Sequence, residues 1–96
     1  MKLFITTESP TSADARALIA ASQDALLAVF GPDEIFTLSA EELAATPGMT
    51  FYVARAEGPL GCVASLDCGD HAELKRLFVT DAGRGRGVAR ALMARL

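Results

Sequence analysis

Five residues, Gly83-Arg84-Gly85-Arg86-Gly87, alternate glycine with arginine between a segment patterned as a strand and one patterned as a helix. After them Val88, Leu92 and Leu96 recur four apart, with Ala89 and Met93 adjacent. That is the stripe of an amphipathic helix, with Arg90 and Arg95 directed outward. A strand, a glycine-rich turn and a helix make a definite physical object. The first helical turn has backbone N–H groups without partners, and the helix dipole adds roughly half a positive charge there. Glycines let the backbone approach a ligand closely, and Arg84 and Arg86 add positive charge in a chain whose formal net charge is −3. The turn therefore reads as a cradle for a phosphate or pyrophosphate. The glycines alone would be equally at home in an ordinary connector with solvated arginines.

Two common phosphate motifs do not fit. A nucleotide P-loop needs a Lys and a Ser or Thr after its last glycine, and here Val88-Ala89 follow. The dinucleotide fingerprint needs Gly-x-Gly-x-x-Gly with an acidic residue some twenty positions on. The glycine spacing differs, and the sequence stops at Leu96.

Upstream, residues 3–6 read as a first strand, ended by Ser9-Pro10-Thr11-Ser12. Thr11 with Asp14 three positions on predicts a helix N-cap. Leu18, Ser22, Leu26 and Phe30, flanked by Ile19 and Leu27, predict a helix that Gly31-Pro32 stops. Ser39-Ala40-Glu41-Glu42 is a capping box for a short second helix, and Leu38 with Leu43 offers a hydrophobic staple. Residues 50–56 predict a strand apolar on both faces, with Phe51 and Val53 opposed to Tyr52 and Ala54. Leu60, Cys62, Ala64 and Leu66 alternate in the next strand. The turn at Glu57-Gly58 makes the two an antiparallel hairpin, and Gly69-Asp70 makes the following turn.

Residues 72–79 form a further strand with a slip in its pattern. Leu74 falls on one parity, Leu77 and Val79 on the other. One extra residue near Lys75-Arg76 restores a common face, which defines a β-bulge. A strand buried on both faces is the alternative.

Length and composition bound the rest. Residues 1–96 are expected to form a single domain. A pI near 5.0 argues against general affinity for nucleic acid or anionic membranes. No apolar run approaches the length of a membrane span, and residues 1–5 are too short for a signal-peptide core. A cytoplasmic, soluble protein is expected. Cys62 and Cys68 read as reduced thiols, one of them buried, and a single His offers too few ligands for zinc, so no metal is expected.

Arg84-Gly85-Arg86-Gly87-Val88-Ala89 resembles the Arg/Gln-x-x-Gly-x-Gly/Ala motif of the GCN5-related N-acetyltransferase (GNAT) family, and Glu73-Leu74-Lys75-Arg76-Leu77-Phe78-Val79 resembles that family's bulged fourth strand. The upstream order of strand, two helices and hairpin is similar to the family's N-terminal half. The resemblance implies an α/β fold of the acyl-CoA N-acyltransferase type, with a mixed, mostly antiparallel sheet and flanking helices. It implies transfer of an acetyl group from acetyl-CoA to a primary amine. Backbone N–H groups of Arg84, Gly85, Arg86, Gly87, Val88 and Ala89 would hold the pyrophosphate. Leu77, Phe78 and Val79 would pair with the pantetheine arm. The bulge would aim an N–H at the thioester carbonyl. Glu73, eleven positions before Arg84, stands where many members keep a general base. Its plainer role is a strand-edge charge paired with Lys75 or Arg76. His71 and Tyr52 are lesser candidates as proton carriers, with structural roles the plainer reading.

The family's fold continues after this helix with further strands and with the tyrosine acid that protonates the leaving thiolate. These have no counterpart in the sequence, so one wall of the cofactor cleft is expected here, in a fragment of a longer enzyme or in a chain completed by a second copy as a homodimer. Two readings from other classes stand beside the enzyme: a non-catalytic CoA- or phosphate-binding module, and RNA binding through the Arg/Gly turn. Overall acidity and the lack of interleaved aromatics weigh against the last.

Overall fold

The computed structural model of the chain describes residues 2–29 and 39–95. Its elements are β1 (Phe4–Thr7), α1 (Ala13–Val29), α2 (Ala40–Ala45), β2 (Met49–Arg55), β3 (Pro59–Asp67), β4 (Ala72–Val79), a 3-10 turn (Asp81–Gly83) and α3 (Val88–Arg95). The strands form one sheet in the order β1-β2-β3-β4. The α/β class and the helix order agree with expectation. Every pairing among the described residues is antiparallel, however, so the sheet is not mixed there. Tight hairpins join β2 to β3 and β3 to β4, and the excursion through α1 and α2 returns the chain beside β1 in the opposite direction.

Helices cover both faces. On one, Leu18 and Ile19 of α1 and Leu43 of α2 pack on Phe51, Val53, Cys62 and Ala64. On the other, Val88 and Leu92 of α3 pack on Ala54, Leu60 and Val63. This explains why β2 is apolar on both sides: Phe51 and Val53 face α1, while Tyr52 and Ala54 face α3. Leu92 is fully buried, whereas Met93 is exposed.

Local signals held unevenly. The Ser39 capping box forms in full, with Ser39 Oγ accepting from Glu42 N at 3.1 Å and Glu42 Oε1 accepting from Ser39 N at 3.0 Å. The cap of α1 is Ser12 rather than Thr11. Ser12 Oγ accepts from Ala15 N at 3.2 Å, while the Thr11 hydroxyl is engaged with Ser9 Oγ at 2.7 Å. Phe30, Gly31-Pro32 and the staple residue Leu38 lie outside the described residues. Leu60 does not share a face with Cys62 and Ala64. A register shift at Ala54/Arg55 places Gly61 opposite Ala54 and Pro59 opposite Arg55, so the extra residue Leu60 turns toward α3.

The bulge in β4 is present. Cys62 pairs with Phe78 and Ala64 with Lys75, so Val63 alone opposes Arg76 and Leu77. The register now puts Leu74, Leu77 and Val79 on one face, that of α3, as the slipped pattern required. No strand lies along the outer edge of β4 among the described residues.

Arg55 ties the start of α1 to the sheet. Its guanidinium donates to Asp14 at 2.9 Å and lies 2.7 Å from Glu8. Burial alone would lower its pKa, but the hydrogen bonds to Glu8 and Asp14 outweigh burial and raise it.

The position of α3 depends on Gly61. A Cβ there would stand 2.8 Å from both the Phe78 carbonyl oxygen and Val88 Cγ1. Since the first of these is backbone in the neighbouring strand, α3 would have to lift. Gly61→Val should therefore lower stability by about 1–3 kcal/mol, as overpacked cores do. Gly58→Ala, at a position with nothing within 4 Å of the new Cβ, should leave the thermal unfolding midpoint nearly unchanged. Scanning calorimetry of the two variants checks this.

Candidate functional site

The Arg/Gly turn is built from the end of β4 onward. Thr80 N donates to the Leu60 carbonyl at 2.8 Å, and Thr80 Oγ1 bonds the same oxygen at 3.1 Å. Thr80 Oγ1 also accepts from Gly83 N at 3.2 Å, so one side chain caps the 3-10 turn and anchors it to β3. The chain then crosses Gly85 and Gly87 in left-handed conformations, with φ of 77° and 75°. An ordinary side chain resists that conformation, and glycine does not. The Gly87 carbonyl accepts the first helical bond of α3, from Ala91 N at 3.0 Å.

Between these anchors lies a row of unused donors. The N–H groups of Gly85, Gly87, Val88, Ala89 and Arg90 donate to no backbone carbonyl among the described residues. They border a groove of about 440 Å³ lined by Val79, Gly83, Arg84, Gly85, Gly87, Val88, Ala89 and Arg90. Neither Gly85 nor Gly87 has any atom within 4 Å of where a Cβ would stand, so the groove reaches the main chain itself. Converging N–H groups at the positive end of a helix suit an anion with several oxygens.

The charges do not all gather at the one groove. Arg84 lines the groove and pairs with Asp81 at 3.3 Å, but both side chains are more than two-thirds exposed, so solvent screens the pair. Arg86 lines a neighbouring depression of about 900 Å³ with Lys2, Glu57 and Ala82. Arg90, exposed as expected, also lines this groove. It is the third residue of α3, and a first-turn position was the available signal. Arg95 is likewise exposed, with its guanidinium 6.0 Å from the centre of the Tyr52 ring. That contact gives Tyr52 a packing role.

Leu77, Phe78 and Val79 occupy the last turn-proximal part of β4. Phe78 packs on the α1 face, Val79 on the α3 face, and Leu77 is exposed. Glu73 lies six residues before Val79, roughly 20 Å along an extended strand. Its Cα partner is Leu66, a register position sharing a face with Ala64 and Cys62, on the α1 side. Its carboxylate is about half exposed, and Oε1 lies 3.9 Å from His71 Nε2. The cradle and the carboxylate thus stand near opposite ends of one uncovered strand edge.

The β3–β4 hairpin turn adds a grouping that counting residues did not suggest. Cys68, His71 and Glu73 each place a potential ligand atom within 4.8 Å of the others. Cys62, in contrast, is fully buried in the core.

Residues 47–96 match the family model for the acetyltransferase (GNAT) domain. No curated protein matches the sequence. Among solved structures, the chain is similar to a Klebsiella pneumoniae protein described as an acyl-CoA N-acyltransferase, with 26% identity and a TM-score of 0.75 over 98% of this chain and 60% of that one. A ribosomal-protein-alanine N-acetyltransferase from Brucella melitensis superposes with a TM-score of 0.75 at 22% identity, over 99% of this chain and 69% of that one. AAC(6')-Iy, in complex with the bisubstrate analogue CoA-S-monomethyl-acetylneamine, superposes with a TM-score of 0.59 at 21% identity, over 99% and 69%. The chain thus spans about three-fifths of the Klebsiella protein and somewhat more of the other two. No helix among the described residues is long and apolar enough to cross a membrane.

Thr80 supplies the side-chain half of the anchor. Thr80→Val keeps its shape but removes both side-chain hydrogen bonds, and should destabilise the fold by about 1–2 kcal/mol. Thr80→Ser should recover most of that. Chemical denaturation of the pair measures it.

Proposed function

As the chain belongs to the acetyltransferase (GNAT) family, we propose that it serves transfer of an acetyl group from acetyl-CoA to a primary amine of a small molecule or protein. The observation that carries the reading is the row of N–H groups at Gly85 and residues 87–90 that donate to no backbone carbonyl among the described residues, set beside an edge of β4 along which none of the described strands lies. A compact nucleotide would use the cradle alone. A ligand that also reaches Glu73 must be long and extended, which describes the pantetheine arm of CoA. The CoA-containing analogue held by AAC(6')-Iy, a protein of the same fold, supports the same ligand class.

Each part of the site then has a task. The N–H groups of Gly85 and residues 87–90 hold the pyrophosphate, with Arg84 and Arg90 adding charge. Arg86, on the neighbouring depression, is placed for a more distant phosphate or for the nucleoside end. The outer N–H and C=O groups of β4 at Leu77, Phe78 and Val79 pair with the amides of the arm as an added strand would. Acetyl-CoA supplies an acyl group activated as a thioester. Glu73 accepts a proton from the acceptor's ammonium group, directly or through a water, so that a neutral amine can attack the carbonyl carbon. The bulge at Arg76 and Leu77 interrupts the ladder and turns a backbone N–H toward the carbonyl oxygen, where it offsets the charge that develops.

Two measurements test the reading. Gly87→Val forces a β-branched residue into a φ near 75° and puts a side chain into the groove. Calorimetry should show CoA affinity reduced at least about ten-fold, or about 1.4 kcal/mol. Equal affinity in the two proteins would remove the cradle from CoA binding.

Glu73→Gln keeps size and hydrogen bonding but cannot take a proton. Its rate should fall, by about 10²-fold or more, mainly below the acceptor amine's own pKa, where the amine is protonated and needs the base. Above that pKa the variant should approach wild type. An unchanged pH–rate profile would give Glu73 a structural role.

A further inference from the structure

The geometry points to a second site, at the β3–β4 hairpin, for a thiophilic divalent cation of the zinc type, held by Cys68, His71 and Glu73. Potential ligand atoms of the three lie within 4.8 Å of one another. Zn–N bonds of about 2.0–2.1 Å and Zn–S bonds of about 2.3 Å put neighbouring ligand atoms of a tetrahedral site roughly 3.3–3.8 Å apart. The His71 Nε2 to Glu73 Oε1 separation is already 3.9 Å. Small side-chain rotations at a partly exposed turn close the rest.

The orientation of His71 supports this use. Its Nδ1 lies 2.7 Å from Asp70 Oδ1, which holds the ring with Nδ1–H donating to the carboxylate. The lone pair then sits on Nε2, the nitrogen on the Glu73 side. A carboxylate behind a histidine, opposite its metal-binding nitrogen, is the usual outer support of a metal site. The turn itself is held by Cys68 N donating to the His71 carbonyl at 2.9 Å and by Gly69 N donating to Asp67 Oδ1 at 2.9 Å. Cys68 and His71 therefore keep a fixed separation.

The chemistry balances. The Cys68 thiol, which donates weakly to the Leu66 carbonyl at 3.7 Å, loses its proton to solvent as the metal binds. Thiolate, carboxylate and neutral imidazole then offset the charge of a divalent ion. Thiolate and imidazole select zinc over magnesium or calcium. Three protein ligands leave a fourth position for water. The site would hold the carboxylate assigned above as the base, so metal occupancy would suppress acetyl transfer; that consequence rests on the acetyltransferase reading, whereas the site itself does not.

The test is a titration of the purified chain with Zn²⁺ against a chromophoric chelator, without acetyl-CoA or acceptor, so its outcome is independent of whether CoA binds. One equivalent of Zn²⁺ should bind. Cys68→Ser and His71→Gln should each weaken binding by at least about ten-fold, and Asp70→Asn by about 10–100-fold, while circular dichroism shows the fold retained. Co²⁺ in place of Zn²⁺ should give a thiolate-to-metal absorption band that Cys68→Ser abolishes. Binding of less than one equivalent, binding indifferent to Cys68→Ser, or a cobalt spectrum without the thiolate band would each overturn the site.

Discussion

Helix α3 sits against β3 at Gly61, where the next heavy atoms leave no space for a side chain. That contact sets the height of α3 over the sheet, and with it the position of the helix's first turn. β3 is the interior strand between β2 and β4, with α1 on one face and α3 on the other. Its buried stretch from Leu60 to Ala64 uses small residues where the helices come nearest: Gly61 under α3, and Cys62 and Ala64 toward α1. A bulkier strand would hold the helices off, and the glycine turn before α3 would move with it. Thr80 reinforces the arrangement by binding the Leu60 carbonyl through both N–H and hydroxyl.

The anion cradle that results is made chiefly of backbone. Its arginines are exposed, and Arg84 is already near Asp81, so their charge acts through water and is weakened by salt. The N–H groups at Gly85 and residues 87–90 donate to no backbone carbonyl among the described residues and border the groove directly. The edge of β4, along which none of the described strands lies, likewise offers main-chain groups. Its bulge redirects Leu74, Leu77 and Val79 to one face and separates the cradle end of the strand from the carboxylate end.

Much of this was legible in the residues because the signals are short-range. The Ser39 box, the hairpin turns, the bounds of residues 72–79 and the glycines at 85 and 87 depend on neighbours within about four positions. The bulge was legible only as one of two readings, since a strand buried on both faces gives the same parity slip, and the register decided between them. The misread positions depended on competition or register. Thr11 and Ser12 both suit a cap, and the choice went to the residue next to Ala13 once Ser9 engaged Thr11. Leu60 changed sides because the ladder shifts between Ala54 and Arg55, a break that strand periodicity does not reveal. Arg90 is exposed as its helical phase predicts, but that phase does not reveal that a first-turn side chain also borders the glycine groove.

The sequence by itself determined the order of elements, the glycine-dependent turn before α3 and the family resemblance of residues 73–96, since these follow from local sterics, capping and periodicity. Tertiary structure decided which groups share a place: α3 on Gly61, Arg95 on Tyr52, Arg84 and Arg90 around one groove with Arg86 on another, and Cys68, His71 and Glu73 around one hairpin. Periodicity tells which face of an element a residue takes. It does not tell how two elements are set against each other, because that is settled by strand register and by how closely side-chain volumes allow the elements to approach.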